Sequence, residues 1–321
     1  MKIGVPRESA AGEKRVALIP DAVAKLVDSK LTVVIESSAG EGSGHPDDQY
    51  VDAGAQISDP AAVWGSDVVL TVAPPSVDQI GLLGAGTVMV GHLAPLTALD
   101  STKALADAGT TSFAVEAIPR ITRAQPMDAL SSQANVAGYA AALLAAREAG
   151  RFFPMLTTAA GTVAPARVLV LGAGVAGLQA IATAKRLGAI VTGFDIRRAA
   201  WEQIASLGGR PLELDFIPDA EDEGGYARPL TESENEQVRE AIAENAARQD
   251  VIITTAQIPG RDAPLLISEE AVKGMQPGSV ISRGAGRPGI AAVVTITSCL
   301  AAFSPSASRT WAFSSSVSGR A

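Results

Sequence analysis

The chain has 321 residues, more than a typical single domain, so we expect about two domains, each with its own hydrophobic core. Hydrophobic residues make up 47% of it and aromatic residues only 4%, a balance that favours α/β layers over an aromatic-rich β-sandwich. The net charge of -8 argues against nucleic acid and anionic membranes as main partners, and one cysteine with two histidines argues against an internal disulfide or a structural metal site.

The first third of the sequence alternates short β-branched runs with amphipathic stretches such as PDAVAKLVDS. The predicted strands span residues 2–5, 32–36, 67–72, 87–92 and 111–116. Continuous apolar strands separated by helices are typical of a parallel sheet that is covered on both faces. We therefore predict a first α/β domain over residues 1–135, followed by a helix over 131–150 that leads to a second unit.

The second unit repeats this pattern. Its predicted strands span residues 167–172, 190–195, 250–256 and 279–281. The polar, glycine-containing stretch 219–236 predicts a mobile surface loop that runs into a helix. The predicted fold is thus α/β, with two doubly wound parallel-sheet domains, the second over 136–281, and a cleft between them.

The residues KIGVP after Met1 lack the charged region and the long apolar region of a secretory signal, which favours a cytoplasmic protein. The longest apolar run, residues 289–303, is too short to span a bilayer and contains several polar residues. We therefore expect no direct membrane insertion, although docking onto a membrane partner stays open.

The segment VLVLGAGVAGLQ places three glycines directly after a predicted strand and at the start of a predicted helix. Gly172 permits a tight turn, Gly174 lets the backbone approach a pyrophosphate, and Gly177 allows close packing of helix on strand. A bare glycine pattern is equally typical of a structural turn, but the surrounding strand, helix and second strand favour a Rossmann-like dinucleotide site.

Asp195 ends the next predicted strand, at the spacing expected for the carboxylate that holds the adenosine ribose. A carboxylate there repels a 2'-phosphate and so favours NAD over NADP, whereas the neighbouring Arg197 and Arg198 are cations that can accept such a phosphate. The nucleotide-binding residues predicted for this domain are Gly172, Gly174, Val175, Ala176, Gly177, Asp195, Ile196, Arg197, Thr255 and Ala256.

Several longer segments carry a more specific signal than the glycines. EAIPRITRAQPMDALSSQANVAGY, RFFPMLTTAAGTVAPARVLVLGAGVAGLQAIATAKRLGA, GGYAR and DVIITTAQIPGRDAPLLISEEAVKGMQPGSVI together resemble the NAD(H)-binding component of proton-translocating nicotinamide nucleotide transhydrogenase, the soluble part of its alpha subunit. The resemblance covers about residues 1–281 and is densest in the middle of the chain.

This resemblance implies a homodimer that binds NAD(H) and passes hydride directly to NADP(H) on a partner beta subunit, coupled to proton translocation by a membrane domain. The chain would then be a peripheral part of an oxidoreductase at the inner membrane, active only with its partner. The family's loop residues near the nicotinamide fall on Arg120, Gln125 and Asp128, with Ser131 following, and its mobile lid tyrosine falls on Tyr226.

The chemistry of these side chains agrees with that role, since hydride transfer between nicotinamides needs positioning and exclusion of water but no acid or base. Gln125 can hydrogen-bond a carboxamide or ribose, Asp128 can accept from ribose or hold Arg120, and Arg120 can engage a phosphate. The alternative is structural, because Asp128 and Ser131 are both good N-caps for the helix that follows. Tyr226 is equally compatible with an ordinary exposed loop.

Two other functions stay open. The start of the chain, with GVPRE, EKRVAL and GEGSGHPDDQY, also resembles alanine dehydrogenase, in which Arg15 would hold a substrate carboxylate and His92 would serve as acid or base. That enzyme's substrate lysine falls on Ala73 here, so no cation would polarise a keto acid. A non-catalytic module that senses NADH is the second alternative.

The family pattern stops after MQPGSVI. Residues 282–321 are rich in Ser, Ala and Arg and show no useful helical or strand period, which is typical of a disordered tail. Because the pattern is lost in mid-strand, we hypothesise that a change of reading frame in the gene or its sequence record produced this tail. The nucleotide sequence around the codon for Ser282 tests this: an alternative frame that restores the family's Gly-Gly-Asn loop would support it, and the lack of one would refute it.

Overall fold

A computed structural model describes residues 1–119, 121–214, 216, 230–257, 265–283 and 292–295. The chain divides into two compact units. The first comprises Met1–Gln133, and the second begins at Ala134. Each unit contains one large sheet, and the two sheets follow the same strand order.

The sheet of the first unit is entirely parallel, with the order β3-β2-β1-β4-β5-β6. Its strands are β1 (Lys2–Val5), β2 (Thr32–Glu36), β3 (Gln56–Ser58), β4 (Val68–Thr71), β5 (Val88–Gly91) and β6 (Thr111–Ala114). This is the order of a doubly wound dinucleotide-binding sheet, in which the direction of winding reverses between the first and fourth strands. The carboxyl ends of β1 and β4 therefore flank the switch point.

In the described part of this unit, five α-helices and the short 3-10 helix Glu41–Ser43 connect the strands. The α-helices are α1 (Pro20–Asp28), α2 (Asp47–Asp52), α3 (Pro60–Trp64), α4 (Val77–Ile80) and α5 (Leu99–Asp107). Local sequence explains several starts: Asp59 caps α3, and Ser76 caps α4 in a capping box with Gln79. Two short 3-10 helices, Val115–Ala117 and Thr122–Met127, follow β6 and lead to the end of the unit.

The core of the first unit consists of two clusters of buried apolar side chains. One joins Val33 and Ile35 of β2 to Val23 of α1 and to the fully buried ring of Tyr50, whose hydroxyl donates to the Leu18 carbonyl at 2.9 Å. The other contains Trp64, Val69, Ile80, Met89, Leu93 and Leu105. Burial of these β-branched strand residues is the main stabilising contribution expected for this sheet.

The second unit begins within α6 (Ala129–Glu148) and contains a sheet of order β11-β10-β9-β12-β13-β14. Its strands are β9 (Arg167–Leu171), β10 (Ile190–Phe194), β11 (Arg210–Pro211), β12 (Val251–Thr254), β13 (Val280–Arg283) and β14 (Ala292–Thr295). All pairs are parallel except β13 with β14, which is antiparallel. A separate hairpin joins β7 (Leu156–Thr158) to β8 (Gly161–Val163).

Helices cover both faces of this sheet. The helices are α7 (Val175–Arg186), α8 (Ala199–Ser206), α9 (Glu232–Ala246) and α10 (Glu269–Gly274). Val168 and Val170 of β9 pack with residues of α6, α7 and α8, whereas Leu169 and Leu171 pack with residues of α9 and α10. The alternation of adjacent buried residues between two faces is what a continuous apolar strand produces in a doubly wound sheet.

The predicted fold class is confirmed, since parallel sheets with connecting helices build both units. The strand predictions were right in place but missed the short strands β3 and β11 and the hairpin, because two or three residues leave no readable period. The predicted strand 111–116 was too long, since its last two residues lie in a 3-10 helix.

The sequence shows no useful period beyond residue 281 and is typical of a disordered tail there, yet two segments of it are strands. The strand β13 continues to Arg283, and β14 pairs with it along four residues. The backbone bonds of a neighbouring strand can order such a segment even when its side chains show no alternation. The rest of the predicted tail lies outside the described residues.

Candidate functional site

The glycine turn of the second unit lies between β9 and α7, at the switch point of its sheet. Gly172 has φ of +92°, and an added Cβ would lie 2.7 Å from the Ala256 amide nitrogen after β12. A Cβ on Gly177 would lie 1.8 Å from the Gly172 carbonyl oxygen. Both positions therefore require glycine, one for the turn and the other for the packing of α7 on it.

Gly174 differs from these two glycines. It is exposed, it precedes the first residue of α7, and a Cβ built on it would meet no atom within 4 Å. Nothing in the described protein fills this space, so the backbone amides at the start of a helix of 12 residues are accessible to an anion. The residues present thus fit the pyrophosphate of a dinucleotide.

Asp195 directly follows β10, next to this turn. Its side chain is 8% exposed and accepts a hydrogen bond from the Ala173 amide at 2.8 Å. Arg197 donates three more, from its backbone nitrogen at 2.9 Å and from Nε and Nη2 at 3.0 Å each. The Asp195 carbonyl accepts from Trp201 Nε1 at 3.0 Å, so both the backbone and the carboxylate of this residue are fixed.

The remaining predicted residues of this unit surround the turn. Val175 is exposed and begins α7, and Ala176 and Ile196 are partly buried. The Thr255 hydroxyl donates to the Gly172 and Leu171 carbonyls at 2.7 and 3.2 Å, so it supports the turn from the neighbouring strand. Contact of these side chains with a nucleotide stays a prediction.

Sequence reasoning missed Gly138, which lies in α6 and belongs to the same unit. A Cβ there would lie 2.0 Å from the Ala176 carbonyl oxygen. The helix backbone therefore touches the first turn of α7, and only glycine permits this approach. A glycine within an alanine-rich helix was the available signal, since its low helix propensity calls for a reason.

A second group of predicted residues lines a depression of about 190 Å³ in the first unit. Its lining residues are Pro119, Ile121, Ala124, Gln125, Asp128 and Ser131. Gln125 is exposed in a 3-10 helix, and its side chain has no hydrogen bond to the described part of the chain. The Gln125 amide is thus available to a ligand. The Asp128 side chain, in contrast, already takes part in holding the start of α6.

Asp128 is the N-cap of α6. Its Oδ1 accepts from the Ser131 amide at 2.8 Å, and its carbonyl accepts from the Ser132 hydroxyl at 2.9 Å. This is the structural alternative that the sequence left open, with Ser131 at the third helical position rather than at the cap. The structure thus brings together Gln125, Asp128 and Ser131; Arg120 and Tyr226 lie outside the described residues.

A charged network that the sequence did not predict lies in the first unit. Arg15 donates from Nε and Nη2 to Glu13 at 2.8 and 2.6 Å and from Nη1 to the Gln133 side chain in α6 at 2.9 Å. Burial opposes the ionisation of Glu13, but the bonds and charge of Arg15 outweigh it and lower the pKa of Glu13. The Arg15–Gln133 bond joins residues distant in sequence, which leave no pattern in the sequence alone.

Glu8 lies against the end of β4. Its carboxylate accepts hydrogen bonds from the backbone amides of Val72 and Ala73. Burial raises the pKa of Glu8, the two amides oppose that effect, and the nearby Glu13 reinforces it. An acidic side chain therefore occupies the position next to Ala73, where the alanine dehydrogenase alternative would need a cation.

His92 follows β5, and Glu116 follows β6. The His92 Nδ1 atom lies 3.8 Å from Glu116 Oε2, too far for a hydrogen bond, and neither atom has a hydrogen-bond partner among the described residues. Glu116 Oε1 accepts from the Ala94 amide. Burial lowers the pKa of His92, the charge of Glu116 opposes this, and that of Arg15 adds to it.

No three His, Cys, Asp or Glu side chains within the described ranges are grouped so that they could hold a metal ion. In the same part of the chain, no helix combines the length and apolar character that crossing a membrane requires.

Comparison with known proteins agrees with this arrangement. Residues 4–137 match the family model described as alanine dehydrogenase/PNT, N-terminal domain, and residues 141–282 match the model of its C-terminal domain. The chain belongs to this family. The resemblance inferred from its motifs is thereby confirmed.

Among individual relatives, the chain is 44% identical to NAD(P) transhydrogenase subunit alpha of Haemophilus influenzae over 88% of this chain and 55% of that protein. It is 32% identical to alanine dehydrogenase of Bacillus subtilis over 88% and 69% of the two chains. The solved transhydrogenase from Sinorhizobium meliloti is 44% identical and superposes with a TM-score of 0.76 over 88% of this chain and 77% of that one. The transhydrogenase branch is therefore more similar than this alanine dehydrogenase, and the chain is a transhydrogenase-type, NAD-binding oxidoreductase family member.

Proposed function

We propose that this chain is the NAD(H)-binding subunit of a proton-translocating transhydrogenase. In this role it holds NADH for direct hydride transfer to NADP(H) on a partner beta subunit, and a membrane domain couples that transfer to proton translocation. The relatives named as transhydrogenase alpha subunits support the proposal. The chain is peripheral to the membrane and acts from the cytoplasm through its partners.

The observation that carries the proposal is the pairing of the open space at Gly174 with the carboxylate of Asp195, which the Ala173 amide holds beside the same turn. A phosphate fits the first feature, and adenosine ribose hydroxyls fit the second. When bound, the nicotinamide nucleotide supplies the hydride. The protein's own task is to fix the two ends of that molecule.

Residues of the first unit are proposed to position the reactive end. Gln125 presents an amide without a partner among the described residues, which can hydrogen-bond a carboxamide, and Asp128 and Ser131 line the same depression. Arg120, whose guanidinium can engage a phosphate, is proposed to act with them. Tyr226 is proposed to close over the nucleotide and exclude water. None of these residues has to transfer a proton, because the hydride passes between two nicotinamide rings.

A homodimer is part of the proposal. Helix α6 exposes an apolar stripe at helical spacing, formed by Val136, Tyr139 and Leu143, which are 54%, 50% and 37% exposed. A stripe of this kind on an otherwise packed helix is typical of a protein–protein contact.

Mixing the purified chain with an NADP-binding partner and following hydride transfer from NADH to an NADP analogue tests the function. Transfer that requires both proteins is the expected result. Reduction of NAD that depends on alanine would instead support an alanine dehydrogenase, an interpretation against which Ala73 and the adjacent Glu8 argue. NADH binding without any transfer would support a non-catalytic sensing module.

A further inference from the structure

The carboxylate of Asp195 has no unused acceptor position. A carboxylate offers about four lone-pair sites. Two hydrogen bonds reach Oδ1, from the backbone nitrogen and Nε of Arg197, and two reach Oδ2, from the Ala173 amide and Nη2 of Arg197. A ribose hydroxyl that donates to Asp195 must therefore share or displace the Arg197 side chain.

The pair is shielded from solvent, with side chains 20% exposed at Arg197 and 8% at Asp195. Its guanidinium is also 3.4 Å from the Ala173 carbonyl oxygen through Nη2, which ties it to the glycine turn. Because the Arg197 guanidinium is bonded to both the Asp195 carboxylate and the Ala173 carbonyl, we expect it to remain near the carboxylate when one of these bonds is lost. A positive charge thus accompanies Asp195 at the end of the site where NADH and NADPH differ.

We propose that Arg197 is a specificity-determining residue, which partly cancels the repulsion between Asp195 and a 2'-phosphate and so moderates the preference of this site for NADH over NADPH. This inference rests on the proposed nucleotide site. An unpaired carboxylate would reject NADPH strongly, whereas a carboxylate with a bidentate arginine presents a nearly neutral surface with donors that a phosphate can use.

The test measures the dissociation constants of NADH and NADPH for the full chain by nucleotide fluorescence. In Arg197→Gln we expect the ratio of the NADPH constant to the NADH constant to rise at least about tenfold, which corresponds to about 1.4 kcal/mol. Arg197→Lys keeps the positive charge but loses the planar guanidinium. Its ratio of dissociation constants should lie between those of the parent and Arg197→Gln. A loss of packing alone would weaken both nucleotides equally and leave the ratio unchanged.

Two variants make the same change of charge nearby. Arg198→Gln alters the adjacent cation, whose Cζ lies 5.8 Å from the centroid of the Trp201 ring, and Arg210→Gln alters an exposed residue that begins β11. The ratio should stay near the parent value in both. An equal rise in Arg198→Gln, or an unchanged ratio in Arg197→Gln, would overturn the inference while leaving the proposed function intact.

If Arg197→Gln does not fold, the inference is tested by measuring how the NADH and NADPH affinities of the parent protein change with salt concentration. A guanidinium facing the 2'-phosphate makes NADPH affinity fall faster with salt than NADH affinity, whereas a dominant carboxylate makes the NADPH affinity fall more slowly. The second pattern overturns the inference, as do equal slopes. If the parent binds neither nucleotide, the proposed function fails, and this inference fails with it.

Discussion

Gly174 and Gly177 belong to one motif but differ in their surroundings. Gly177→Ala would place a Cβ 1.8 Å from the Gly172 carbonyl, so we expect a loss of at least about 3 kcal/mol in the free energy of unfolding, or no folded protein. Gly174→Ala meets no atom within 4 Å and should leave stability within about 1 kcal/mol of the parent. Urea unfolding of both variants measures this.

The Gly174→Ala variant also distinguishes an effect on nucleotide binding from an effect on folding. Gly174→Ala, although folded, should bind NADH more weakly, because its methyl group occupies the space proposed for the pyrophosphate. Unchanged NADH affinity in this variant would contradict the placement of the phosphates at this turn.

Gln125 provides a test of positioning. Gln125→Asn shortens an exposed side chain without hydrogen bonds to the described protein, so the fold should be unaffected. We expect hydride transfer to slow by about tenfold or more while NADH affinity changes less, because small displacements of reacting groups are costly. Stopped-flow transfer with the partner present and NADH titration give the two values. Equal transfer rates in variant and parent would remove this role.

The sequence alone could not show that the Asp195 carboxylate is hydrogen-bonded to the Arg197 side chain. Its spacing from the glycines predicted the residue, and the same segment predicted a nearby arginine, but two side chains two positions apart need not touch. Only the local backbone after β10 brings Arg197 back onto the carboxylate. Rotamers at strand ends depend on such tertiary detail, which no periodicity records.

At the scale of elements, Asp128 both caps α6 and lines the proposed site. Asp128→Asn keeps an N-cap oxygen but removes the charge, whereas Asp128→Ala removes both. We expect unfolding free energy near the parent value for Asp128→Asn and a loss of about 1 kcal/mol for Asp128→Ala. Hydride transfer should fall in both. Full activity of Asp128→Asn, measured with the partner, would assign the residue to capping alone.

Element predictions from the sequence succeeded where burial imposes a pattern. The long apolar strands β9 and β10 and the helix α6 were identified to within two residues, because their side chains alternate or repeat against the core. The hairpin β7–β8 carries three residues per strand and is largely exposed, so backbone pairing rather than side-chain pattern defines it.

At the scale of the whole molecule, we expect the partly buried His92 to make stability depend on pH. The pKa of His92 is lowered by burial, so the unfolded chain takes up this proton at a higher pH than the folded chain does. Stability should therefore fall as pH decreases through about 6.5, the ordinary histidine value. Urea unfolding between about pH 7.5 and pH 5.5 tests the sign, and His92→Gln should flatten the dependence.

The other histidine serves as the matched control. His45→Gln makes the same substitution at a histidine whose Nδ1 atom lies 3.0 Å from the Gln49 side-chain oxygen on an exposed part of the first unit. Glu8, whose pKa is raised, acts with the opposite sign at lower pH, since its folded form gains a proton first. A parent stability that rises on acidification to about pH 5.5 would refute the role given to His92.

The overall plan of two doubly wound sheets was predictable, since strand and helix alternate along the chain with few exceptions. Contacts distant in sequence were not. The Arg15–Gln133 bond joins residues 118 positions apart, and the close approach of Gly138 to Ala176 joins two segments that carry no mutual signal. Both depend on how elements pack, which a single sequence does not encode in any local pattern.

Helix α6 illustrates a practical consequence of its composition. Its buried residues are Ala137, Gly138, Ala141, Ala142 and Ala145. Replacement by alanine, the usual way to measure what a side chain contributes, changes nothing at four of these five positions. At the fifth position, Gly138, the added Cβ would lie 2.0 Å from the Ala176 carbonyl oxygen, so a conventional scan would detect the packing of this buried face at one position only. Substitutions toward serine, valine or leucine are needed to make its contribution visible.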